Sequence, residues 1–203
     1  MKDEIPQEFR MIYTNIEKEV IDLTYKITFD ETQKNVYSTF IGELELRIFA
    51  LIESVAKYQG SEKHVVQYDH FFGKHYESEK NRPHVLVTMN GYKLNKRDYS
   101  DVFDKKEQKV IMVDKDRNLH YDPKGKNNWK YNNAYQNLRH NFVDSLPVYG
   151  TLEYLLESLA VLFVVLDTNN SQIFSTYEFT DDGRKSYWLY QGIGMAIRKN
   201  EQT

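Results

Sequence analysis

The stretch from Thr151 to Leu166 constrains this chain more than any other. Leu152, Leu155, Leu156, Leu159, Leu162, Phe163 and Leu166 recur at three- and four-residue steps, the period of one helix face. From Ala160 to Leu166 every residue is apolar. A helix that is apolar all round is stable only when other elements enclose it. The uncharged run, Ser158 to Leu166, is nine residues long, whereas crossing a bilayer takes about 20. The expectation is a central helix of a helical bundle, with no membrane span. Thr151 stands where an N-cap would be.

Partner helices are legible on both sides. Phe9, Ile12, Ile16, Val20 and Leu23 mark a first helix, with Pro6 suited to its opening turn. After Val20 the pattern alternates, with Leu23, Tyr25, Ile27 and Phe29 apolar. Helix is therefore expected to about Leu23, then extended chain. Tyr37, Phe40, Ile41, Leu44, Ile48, Leu51, Ile52 and Val55 form a second apolar face. Glu43, Glu45, Arg47, Glu53 and Lys57 sit mostly off it, and Gly60 is a plausible stop. Trp129, Tyr135, Leu138 and Phe142 share a face and predict a helix from Trp129, with Pro147 and Gly150 as punctuation.

The middle differs. His64 to Tyr76 reads as a short amphipathic helix, Val85-Leu86-Val87 as a strand and Asn90-Gly91 as a turn. Lys109 to Val113 is β-like, Asp114 to Asn118 a polar turn, and Leu119 to Tyr121 a return strand. Towards the end, Ile173 to Phe179 reads as a strand, Asp181-Asp182-Gly183 as a turn, and Tyr187 to Ile197 as a last short element. The fold class is mainly α. A single domain over residues 1–203 is expected, with about four helices and a small β-containing insertion near 61–123.

Composition narrows the chemistry. The 203 residues contain no cysteine, which excludes disulfides, thiolate nucleophiles and cysteine-based zinc sites. The net charge of −3 excludes a globally basic nucleic-acid coat and leaves room for a local basic site. The charged N-terminus, Met1 to Pro6, lacks an apolar signal core, so a cytoplasmic protein is expected. His64, His70 and His75 are spaced six and five apart, unlike helical metal pairs at i, i+4; no metal and no cofactor are expected. Lys93, Lys96 and Arg97 read as a solvated loop. Phosphate-loop, dinucleotide and nucleophile-elbow motifs are missing. A tyrosine-lined pocket for a small metabolite has no cofactor motif behind it.

The chemistry-bearing run is Trp129 to Phe142, which joins cations, an imidazole, amides and aromatics. Between Lys115 and Asn141 stand six Lys or Arg residues against two acids. A local field of that sign suits a phosphate-bearing partner. Arginine can grip phosphate through paired hydrogen bonds, and histidine can move a proton near neutral pH. Amides orient a backbone or a base edge, and tyrosine can stack. On a helix, Gln136 and His140 share a face, Asn133 and Asn137 form a neighbouring pair, and Arg139 projects about 100° from His140. The alternative is structural: Trp129 and Tyr135 in the core, Arg139 capping a surface, and His140 hydrogen-bonded.

Two stretches together resemble a known family. One is Ile27 to Ser38, leading into the helix to Lys57. The other is Trp129 to Leu166, with Tyr135-Gln136-Asn137-Leu138-Arg139-His140-Asn141 and Gly150-Thr151-Leu152. They look like the uncharacterised bacterial HEPN-like proteins, with their Trp…Tyr-Asn-x-x-Lys/Arg-His-(Asp/Asn)-Arg signature. The resemblance covers about half the chain and implies a bundle of about four helices, commonly a homodimer. It also implies a role in a defence or toxin–antitoxin system, with RNA or a protein as partner. Active members are metal-independent endoribonucleases with an Arg-x(4–6)-His motif. Carried over, His140 and Arg139 are the candidate catalytic pair. Lys130, Asn133, Tyr135, Gln136, Asn137 and Asn141 are candidate RNA or phosphate ligands. The motif arginine would fall at Asn133, Ala134 or Tyr135, Gln136 replaces the expected Asn, and Phe142 replaces the final Arg. A non-catalytic module binding RNA, a nucleotide or a protein therefore stands beside the ribonuclease reading.

Overall fold

The computed structural model describes residues 4–29, 31–59, 84–87, 106–166, 171–179 and 185–187. Its helices are α1 (Gln7–Leu23), α2 (Thr39–Tyr58), α3 (Lys130–His140), α4 (Phe142–Tyr149) and α5 (Leu152–Val165). Its strands are β1 (His84–Val87), β2 (Lys106–Gln108), β3 (Val110–Val113), β4 (Leu119–Tyr121), β5 (Asn127–Trp129), β6 (Phe174–Phe179) and β7 (Lys185–Tyr187). The described residues are mainly helical, as the patterning implies.

Helix α5 lies at the centre. Leu152, Leu155, Leu156, Leu159 and Leu162 are all fully buried, each worth roughly 1.5–3 kcal/mol relative to exposure. Its first amides are satisfied from outside the helix. Leu152 and Glu153 donate backbone N–H groups to the carbonyls of Val36 and Lys34 at 2.9 and 3.0 Å. Thr151 Oγ1 accepts from the Tyr154 N–H at 3.4 Å, the cap expected of it. Helix α2 packs against each of the other four helices, with Ser38 Oγ capping it through the Ile41 N–H at 3.1 Å. Gly42 lets α4 approach α2 closely, because a Cβ there would stand 2.6 Å from Leu146 Cδ1.

Helix α1 ends at Leu23, where the period changes. It is tied to the far end of the chain by Glu17. One carboxylate oxygen, Oε1, accepts from Tyr13 Oη at 2.9 Å and from Ser171 Oγ, and from the N–H groups of Gln172 and Ile173 at 3.1 and 3.4 Å.

The strands form two separate constructions. β1 pairs antiparallel with β6, and β6 with β7, so the strand at 84–87 joins the one after α5. The second is a two-part ribbon in which β2 pairs with β5 and β3 with β4. The Lys109 N–H bonds the Lys126 carbonyl and the Asp122 N–H bonds the Lys109 carbonyl, linking the parts. At its tip Asp114 Oδ1 accepts from the N–H groups of Asp116 and Asn118, each at 2.9 Å. Arg117 takes a left-handed φ of 67° there and donates to Tyr37 Oη at 3.3 Å.

Two expectations need correction. Trp129 ends a strand and does not begin the helix, so the β-containing stretch runs beyond 123. Its indole packs in the core while its backbone pairs with Lys106. Pro147 lies inside α4 and does not break it. The carbonyl its missing N–H would have met belongs to Val143, which is 80% exposed and so has access to water. The histidines at 64, 70 and 75, the basic cluster at 93–97 and the turns at 90–91 and 181–183 lie outside the described residues. Among the described residues no helix is long and apolar enough to cross a membrane.

Candidate nucleic-acid interface

Helix α3 sorts its residues into stripes four apart, and each stripe does a different job. Tyr131, Ala134, Tyr135 and Leu138 are buried. The rings of Tyr135 and Tyr131 pack on Phe49 of α2, with centroids 5.4 and 6.4 Å away. Asn133, Asn137 and Asn141 form a second stripe facing the ribbon. Asn133 accepts the Val110 N–H at 3.0 Å and donates to the Gln108 carbonyl at 3.1 Å. Asn137 donates to the Val110 carbonyl at 3.2 Å, and Asn141 to the Val113 carbonyl at 2.7 Å. These amides replace the hydrogen bonds that a neighbouring strand would make to β3.

The third stripe, Asn132, Gln136 and His140, lines a groove with Arg139. The groove has a volume of about 700 Å³ and runs between α3 and the ribbon. Lys109, Ile111 and Met112 of the ribbon's first side line it, as do Lys126 and Asn128 of the returning side. Arg139 and His140 are exposed. Ile111 and Met112 are 55% and 45% exposed, so the cationic groove also offers apolar surface. Among the described residues Glu53 is the one carboxylate lining it, and Lys57 holds Glu53 at 2.9 Å. Three permanent cations therefore face one neutralised acid. Among the described residues, no carboxylate pairs with Lys109, Lys126 or Arg139.

The remaining candidates are placed differently. Tyr135 is buried, donates to Glu53 at 3.3 Å, and carries the Arg139 guanidinium 5.8 Å from its ring centroid. Burial, then the Glu53 charge, raises the pKa of its hydroxyl. It positions Arg139 and offers no open face for a base. Lys130 is turned inwards. It is 4% exposed, bonds Glu157 of α5, and stands 4.4 Å above the Tyr154 ring. Glu45 of α2 shares this interior, fully buried, with no hydrogen-bond partner for either carboxylate oxygen among the described residues. Desolvation first, then repulsion from Glu157, lifts its pKa well above the ordinary value, against the pull of Lys130.

The sequence reading thus grouped residues that the fold separates. His140, Arg139 and Gln136 meet in the groove. Asn137 and Asn141 border it while bonded to the ribbon, Asn133 is committed to the ribbon, and Lys130 belongs to the core. Lys109, Ile111, Met112 and Lys126 were missed as site residues, because strand alternation does not say which helix a strand will lie against. A usable signal did exist: asparagines at 133, 137 and 141 mark one helical line.

Comparison with family models, characterised proteins and solved structures finds no match for this chain.

Proposed function

We propose that the protein is an RNA-binding module of HEPN-like type, with the α3–ribbon groove as its binding surface. The observation that carries this reading is the convergence of Lys109, Lys126, Arg139 and His140 on a groove that also has apolar and amide surface. Cations hold phosphates without regard to sequence, and apolar side chains and amides can contact and hydrogen-bond bases. The sequence resemblance of Trp129 to Leu166 to HEPN-like proteins supports it independently.

The geometry favours recognition over cleavage. Cleavage by a ribose 2′-hydroxyl needs a proton acceptor and a cation at the phosphorane. His140 is available for the first role. Lys130, the second cation proposed for that chemistry, is sealed against Glu157. Arg139 leans on Tyr135, one residue round the helix from His140.

Fluorescence anisotropy with labelled single-stranded RNA tests the reading. Three phosphate contacts predict a slope of log K against log salt of about −2. Lys109→Ala with Lys126→Ala should flatten that slope by about two-thirds. A folded protein that binds no RNA at low salt overturns the proposal. The same RNA incubated in EDTA, beside His140→Ala, decides catalysis: cleavage lost in the variant would restore the ribonuclease reading.

A further inference from the structure

Four side-chain amides at the groove form one chain of hydrogen bonds whose direction is fixed at its inner end. The backbone N–H of Val110 donates to Asn133 Oδ1. A backbone N–H can only donate, so that atom must be the oxygen. Asn133 Nδ2 then points the other way, to the Gln108 carbonyl, which can only accept. Both ends of the Asn133 amide are thereby assigned by main chain. Asn128 Nδ2 donates to the same Asn133 oxygen at 2.8 Å. Asn132 Nδ2 donates to Asn128 Oδ1, again at 2.8 Å. Gln136 Nε2 closes the series on Asn132 Oδ1 through a longer contact of 3.5 Å. Each link sets the orientation of the next.

Gln136 is the outer end of this chain and lines the groove. Its amide nitrogen is turned towards Asn132. Its Oε1 therefore remains as an acceptor, and rotating the amide would set oxygen against the Asn132 oxygen. We propose that Gln136 is a specificity-determining residue that selects adenine and cytosine, whose exocyclic amino group lies beside a ring-nitrogen acceptor, over uracil. Adenine and cytosine present an N–H₂ donor beside a ring-nitrogen acceptor, whereas uracil presents a carbonyl there. With one Nε2 hydrogen directed to Asn132, the amide still offers Oε1 and its second Nε2 hydrogen, but in one fixed order, which matches the donor–acceptor pair of adenine or cytosine and meets the carbonyl–N–H pair of uracil reversed. Ile111 and Met112 supply the apolar surface against which the base would lie. The proposal rests on the RNA reading of the groove and adds base selection to it.

The test is anisotropy at one fixed salt concentration with labelled eight-residue oligo(A), oligo(C) and oligo(U). The wild type should bind the first two about tenfold more tightly than the third, the scale of one well-placed base contact. Gln136→Met keeps the length of the side chain and removes both amide groups, and the ratio should fall to near one. Asn132→Ala leaves Gln136 in place and frees its amide to rotate, and should also erase the ratio. Thermal unfolding of each variant checks that the fold is intact. Equal wild-type affinity for all three oligomers overturns base selection and leaves RNA binding standing. Preference that survives in both variants assigns selection to other groups and overturns the role of Gln136. Failure of all three to bind overturns the RNA reading itself.

Discussion

Glu17 and Glu45 are both buried in this bundle, and they are opposites. Glu17 receives donors from Tyr13, Ser171, Gln172 and Ile173. Glu45 receives none among the described residues. The difference follows from what each faces. Glu17 lies where α1 meets a non-helical segment, whose backbone N–H groups need an acceptor. Glu45 looks between helices whose backbones are already satisfied, so only side chains remain, and Lys130 is taken by Glu157. A buried carboxylate supplied with donors can fasten two distant parts of a chain. In one without them, the uncompensated desolvation raises the pKa.

Breaking the Lys130–Glu157 pair should have the largest effect. Lys130→Met leaves Glu157 as an unpaired buried charge beside Glu45, and should cost about 3–5 kcal/mol, read as a lower midpoint in urea unfolding. Replacing both partners together, Lys130→Met with Glu157→Leu, should recover most of that loss, because an apolar pair of similar size can substitute for a buried ion pair.

Glu17→Ala should come next. It takes the acceptor from the Ser171 hydroxyl and the Gln172 N–H, while Tyr13 and Ile173 keep Ser171 Oγ at 3.0 and 3.1 Å, and a loss of about 2–3 kcal/mol is expected from the unsatisfied buried donors. Hydrogen exchange should show the amides of Gln172 and Ile173 losing protection before those of α5. Equal losses along both segments would mean that Glu17 does not act as a local fastening.

Glu45→Gln should change least, by about 1 kcal/mol or less near neutral pH, and in the stabilising direction. The pH dependence sharpens this contrast. The folded pKa of Glu45 lies above its ordinary value of 4.5. Its contribution is therefore fully present below the unfolded pKa and is lost as pH rises towards the folded one. The variant lacks this titration, so its advantage over the wild type should grow as pH rises above 4.5. A difference that stays flat with pH would show Glu45 to be ionised throughout.

The same two carboxylates show what was legible beforehand. The all-apolar run of α5, the face of α2 and the end of α1 at Leu23 follow from periodicity, because each element's burial is written along its own length. The strand–turn–strand at 109–121 is legible for the same reason. The inward turn of Lys130 is not, since its partner lies 27 residues away on another helix. Trp129 misled because an aromatic before a helical pattern looks like its first turn. In the candidate site, His140, Arg139 and Gln136 were legible from one helix, whereas Lys109, between β2 and β3, and Lys126, just before β5, belong to a ribbon whose placement is a tertiary fact.

The asparagine line on α3 has a consequence for assembly. A strand edge normally invites another chain to pair with it. On β3 the Val110 N–H and the carbonyls of Val110 and Val113 are already bonded to Asn133, Asn137 and Asn141, so the helix serves as a surrogate last strand. Among the described residues β4 pairs with β3 alone. Any association of copies by strand addition to this part of the ribbon is thereby directed to β4, on the side away from α3.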